Sequence, residues 1–123
     1  MSYMTDHKRA AGHGSAREGT QRHWFMTKSS VALLILTPLF IFTFGPMLGQ
    51  PHEEVIAYFA RPFPAIVAGL MIVVGMMHFK SGIQMVIEDY VHEPAREYLI
   101  IATTCLSYGI SAVGLFAIAK IAL

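Results

Sequence analysis

His78-Phe79-Lys80-Ser81-Gly82-Ile83-Gln84-Met85-Val86-Ile87-Glu88-Asp89-Tyr90-Val91-His92 is the stretch that decides the fold. It continues an uncharged apolar run, Phe63 to Met77. An ionisable imidazole therefore sits deep in a segment of membrane length, and the acidic–aromatic pair Asp89-Tyr90 closes that segment. The run predicts a transmembrane helix over 63–87 that holds these two points at two depths of a bilayer.

The composition around it agrees. The chain has 123 residues, 54% of them hydrophobic and only 14% charged, with a mean hydropathy of +0.52. A soluble domain of this size needs more polar surface, so this is a membrane protein of one domain. A net charge of +1 gives no electrostatic case for nucleic acid. The single cysteine, Cys105, lies in an apolar run. It excludes a disulfide framework and any iron–sulfur or zinc site built on cysteines of this chain alone.

Outward from the central stretch, two further spans are expected. Ser29 to Pro51 contains no ionisable residue and is long enough to cross roughly 30 Å of hydrocarbon. It predicts a first helix over 29–49, with Pro38 as a kink and Gly45-Pro46 loosening its far end. Val55 to Phe59 predicts a short surface helix between the first two spans. Glu93-Pro94 marks a break, and Tyr98 to Ala119 is again uncharged, which predicts a third helix over 98–120 anchored by Lys120. The fold class is all-α: a three-helix transmembrane bundle, residues 29–123, behind an N-terminal tail, residues 1–28. The first part of that tail is expected to be mobile. Gly19 to Phe25 reads as interfacial, with Trp24 suited to the headgroup belt. No cleavable signal peptide is expected, because the apolar region starts late and has no small-residue cleavage site behind it.

With three spans, Lys8, Arg9, Arg17, Arg22, Lys28 and Arg96 fall on one side, and Arg61 and Lys120 on the other. The excess of cations places the N-terminus, and with it Asp89 and Tyr90, at the cytoplasmic face.

His78 carries the first candidate site. An ionisable group within hydrocarbon is a functional candidate, and imidazole is a common axial ligand of haem iron. Gly75 and Gly82 flank it on one helical face and leave room for a flat ring. The same pattern also fits a close helix–helix contact in which His78 hydrogen-bonds across the seam. Lys80 points well away from His78, and is expected to snorkel or to pair with a carboxylate. No other histidine lies within a predicted span; Met71, Met76, Met77 and Met85 are available as a second axial ligand, but methionines in an apolar helix usually serve packing, and the simpler expectation is a histidine from another polypeptide.

Asp89 and Tyr90 form the second candidate site. A phenol can donate a hydrogen bond to a quinone carbonyl, and a nearby carboxylate can take part in proton delivery. Interfacial tyrosines and loop aspartates are also common without any such role. Glu88 and Asp89 end a helix, where negative charge costs about 0.3–1 kcal/mol each; Arg96 and His92 are the expected compensation.

The run from His78 through Gly82 and Gln84 to Asp89-Tyr90-Val91 resembles the D-type membrane anchor of succinate dehydrogenase, the succinate:quinone oxidoreductase of respiratory complex II. Gly19, His23-Trp24, Lys28 and Ser30-Val31-Ala32 are similar to the start of that family's first helix. The resemblance implies that His78 ligates a haem b shared with a sister C-type cytochrome b subunit. It implies that Tyr90, with Asp89 nearby, lines the ubiquinone site beside the iron–sulfur subunit. His23 and Lys28 would lie near the haem propionates or the quinone pocket. The family usually has arginine where Lys28 stands; lysine keeps the charge but loses the bidentate fork. FAD and iron–sulfur clusters would belong to partner subunits, since this chain has no flavin motif and no cysteine cluster. The resemblance further implies a bacterial inner membrane and a link between the tricarboxylic acid cycle and the respiratory chain. The alternatives are the anchor of a fumarate reductase, and a non-redox structural anchor or transporter subunit.

Overall fold

The computed structural model describes residues 5–11 and 18–123. The expected mobile start of the tail falls largely on residues 1–4 and 12–17, outside the described residues. Among those described, the elements are α1 (Asp6–Ala11), α2 (Glu18–Phe44), a 3-10 turn (Gly45–Met47), α3 (His52–Phe59), α4 (Pro62–Tyr90) and α5 (Ala95–Ala122). α2 with the 3-10 turn, α4 and α5 are each long and apolar enough to cross a membrane.

The first span differs most from expectation. α2 begins at Glu18 rather than near Ser29, so the interfacial segment is its opening turns. The helix ends at Phe44 rather than at residue 49, because Pro46 tightens the chain into the 3-10 turn. Gly49 then turns the backbone at φ 81°, a conformation that favours glycine. Pro38 lies inside α2 as expected.

α4 starts where its sequence allows. Arg61 is extended, and Pro62 and Pro64 occupy the first turn, where no intrahelical N–H is needed. The helix then runs unbroken to Tyr90, three residues beyond the expected end at 87. Val91 closes it, its N–H donating to the Ile87 carbonyl at 2.9 Å. The break at Glu93-Pro94, a cis peptide, precedes α5, and Lys120 sits in the last turn of α5, where a cation suits the helix dipole.

α4 is the centre of the bundle. It packs against α2 on one side and α5 on the other, while α2 and α5 scarcely meet. Over its most apolar window α4 is 28% buried, against 6% for the first span and 11% for α5. The three spans thus form an open row. α3 caps the far end, touching both α4 and α5, and Phe44 meets Phe59 there at 6.2 Å between ring centroids.

The seam between α4 and α5 is made of small residues. A Cβ on Gly114 would lie 2.9 Å from Ile72 Cδ1 and 3.1 Å from its Cγ2, so any side chain there would require Ile72 to shift. Ala65, Ala68, Ser107 and Ser111 are buried, and the Ser107 and Ser111 hydroxyls each donate to a carbonyl one turn back in α5 at 2.8 Å. That satisfies them without a partner helix.

Candidate functional site

The seam between α2 and α4 is different in kind, because it is polar. The two helices run antiparallel, and two polar contacts between them fix their register, with a third bond inside α4 supporting one of them. At the level of the α4 C-terminus, Arg22 Nη1 donates to Glu88 Oε2 at 2.6 Å, with each side chain 34% exposed. Gln84 Nε2, one turn below on α4, donates to Glu88 Oε1 at 2.8 Å. Deeper still, Ser29 Oγ and His78 Nδ1 are 2.7 Å apart. Between these levels a Cβ on Gly82 would sit 3.7 Å from Met26 Cε.

Each predicted residue has a definite place. His78 is half-buried on α4 against α2. Its Nδ1 is taken by Ser29; its Nε2 has no hydrogen-bond partner among the described residues. Gly75, one turn below, opens onto free space, since a Cβ there would meet nothing within 4 Å. The two glycines thus part company. Gly82 serves helix packing, with His78 bonded across the same seam, while Gly75 leaves a clear surface beside the imidazole. Asp89 and Tyr90 are exposed at the end of α4, Tyr90 at 79%. Because α4 is continuous, His78 and Tyr90 stand about 18 Å apart along its axis.

His23 lies in α2 itself, exposed beside Trp24, at the level of Glu88 and well above His78. Lys28 is exposed next to Ser29, near the depth of His78, and makes no contact with it. The structure therefore brings Ser29 to His78, but leaves His23 and Lys28 outside that contact.

Three expectations about charge change. Glu88 is compensated by Arg22, not by Arg96 or His92; Arg96 instead pairs with Glu93 in its own turn. Of the two roles expected of Lys80, pairing with a carboxylate is not seen among the described residues. Lys80 Nζ lies 3.4 Å from the Tyr108 hydroxyl and 5.2 Å from that ring's centroid, a cation–π contact across to α5. Ser29, Arg22 and Gln84 were not singled out as site residues from sequence. Ser29 and Arg22 meet partners 49 and 66 positions away, and one sequence carries no signal for such pairings.

Among the described residues no three His, Cys, Asp or Glu side chains cluster as a metal site.

The family model for the succinate dehydrogenase/fumarate reductase transmembrane subunit matches residues 1–117. The chain belongs to that family. It is 43% identical to the succinate dehydrogenase hydrophobic membrane anchor subunit of Paracoccus denitrificans, over 100% of this chain and 95% of that one. It is 29% identical to the subunit of the same name from Rickettsia bellii (strain RML369-C), over 80% of each. No solved structure gives a significant match. The family and the three long apolar helices make this a multi-pass membrane anchor subunit of succinate dehydrogenase, working with the other subunits of that complex.

Proposed function

We propose that this anchor holds one side of a haem b through His78 and helps form the ubiquinone-reducing site of succinate:ubiquinone oxidoreductase at Tyr90 and Asp89. One observation carries the reading. The imidazole Nδ1 is engaged by Ser29, Nε2 has no hydrogen-bond partner among the described residues, and Gly75 one turn away on the same helix leaves open space. A metal-ligating histidine has this arrangement, with one nitrogen oriented by a partner and the other left for the metal. When bound, haem b supplies a one-electron centre within the membrane.

The open row of helices supports a shared cofactor, because three spans in a line cannot enclose a porphyrin. The sister C-type cytochrome b subunit would cover the other face and supply the second axial ligand. Tyr90 would donate its phenolic hydrogen to a quinone carbonyl, and Asp89 would hold or pass a proton beside it. Its exposure at the end of α4 leaves it free to meet the iron–sulfur subunit. Succinate oxidation would remain with the flavoprotein subunit. The cation distribution supports an orientation with this end of α4 and the N-terminus at the cytoplasmic face, in a membrane that would be the bacterial inner membrane.

The test is the reduced-minus-oxidised spectrum of the purified complex. His78→Ala is expected to abolish or shift the b-type signal; an unchanged spectrum removes His78 as ligand. Tyr90→Phe is expected to lower quinone reduction at least tenfold while succinate oxidation by an artificial dye persists. Equal loss of both activities removes the quinone assignment.

A further inference from the structure

Most hydroxyls with described bonds in the spans close on their own helix: Thr43, Thr103, Ser107 and Ser111 donate to carbonyls one turn back. Ser29 does more. It is 7% exposed, its Oγ lies 3.0 Å from the Met26 carbonyl of α2, and it also reaches His78 Nδ1 on α4 at 2.7 Å.

We propose that Ser29 is the positioning residue of His78: it accepts the Nδ1 proton and so presents Nε2, with its lone pair, to haem iron. This rests on the haem reading above and assigns a role that the reading leaves open. Proton counting supports it. A hydroxyl has one hydrogen and two lone pairs, and a neutral imidazole has one N–H. If Nε2 gives its lone pair to a metal, Nδ1 must carry the hydrogen. Ser29 must then accept, and its own hydrogen goes to the Met26 carbonyl, which also accepts from the Ser30 hydroxyl at 2.8 Å. Every group then has a partner of the right kind. Donation to Met26 also polarises the Ser29 oxygen and strengthens it as an acceptor. Two effects on His78 follow. The ring is held at a fixed rotation relative to α2, and the imidazole becomes a more basic ligand. A more basic ligand favours the oxidised metal and lowers its potential.

The experiment uses the assembled complex, with Ser29→Ala, Ser29→Thr and Ser29→Val beside His78→Ala. Haem content, haem midpoint potential and the low-temperature EPR spectrum of the oxidised haem are read on the fraction that co-purifies with its partner subunits. Loss of the hydroxyl in Ser29→Ala is expected to weaken haem retention by about 10–100-fold, to move the potential positive and to shift the EPR g values as the ring loses its hold. Thr and Val share a shape, so a difference between them isolates the hydroxyl; Ser29→Thr is expected to stay nearer the native values than Ser29→Val. Native potential and EPR in Ser29→Ala, or indistinguishable Thr and Val variants, overturn the proposal while leaving His78 as ligand. Retention of the native signal in His78→Ala instead overturns the haem reading beneath it.

Discussion

The two sides of α4 are built on different principles. Toward α5 the contact is mainly a matter of shape: Gly114 against Ile72, with the Ser107 and Ser111 hydroxyls turned back on their own helix and one cation, Lys80, laid on Tyr108. Toward α2 it is a matter of chemistry: Arg22 with Glu88, which Gln84 of α4 also holds, and Ser29 with His78. In lipid there is no hydrophobic drive between helices, so close packing of small residues is a sufficient glue. Ionisable groups at a helix seam cost more than such packing and add little to cohesion. The paired groups on the α2 side are the ones on which the proposed site rests.

That contrast can be broken from either side. The largest effects are expected from a crossed pair of substitutions. Gly114→Leu drives a side chain into Ile72 and is expected to destabilise the subunit by about 1–3 kcal/mol. Thermal denaturation of the purified complex in detergent would show it as a lower midpoint, partly restored by Ile72→Ala. The b-type spectrum of the molecules that assemble is expected to be normal. His78→Ala should do the reverse, losing the haem signal while Gly114 and Ile72 stay packed. If the two variants cannot be told apart by these readouts, the division between a structural seam and a functional seam is wrong.

A smaller effect sharpens the comparison within the polar seam. Arg22 and Glu88 are each about one-third exposed at an interface, where screening limits an ion pair to about 0.2–1 kcal/mol. Glu88→Gln keeps the hydrogen-bonding shape and is expected to cost no more than that in thermal stability, with the difference shrinking as salt is raised. A loss well beyond this range would mean that the Arg22 charge is held in a much drier setting than its exposure indicates.

Much of the architecture was legible in the sequence, because lipid imposes simple demands. Uncharged runs had to be spans, and Gly45-Pro46 and Glu93-Pro94 had to be breaks. The surface helix before Arg61-Pro62 also declared itself by its position between spans. The early start of α2 did not. Gly19 to Phe25 read as an interfacial end of the tail, and what aligns that segment with the bundle is Arg22 meeting Glu88, a contact of the folded chain. His78 stood out because an imidazole is rare in such company. Its partner Ser29 did not stand out, since a serine at the head of an apolar run is unremarkable until a second helix is laid against it. Helical spacing took Lys80 off the His78 face, but could not show that Tyr108 would receive it.

α4 is one uninterrupted rod from Pro62 to Tyr90, and it works as a ruler. The interval between His78 and Tyr90 is set by helical rise and by nothing else in the molecule. A thinner or thicker bilayer can tip the rod, carrying both residues together, but cannot stretch the gap between them.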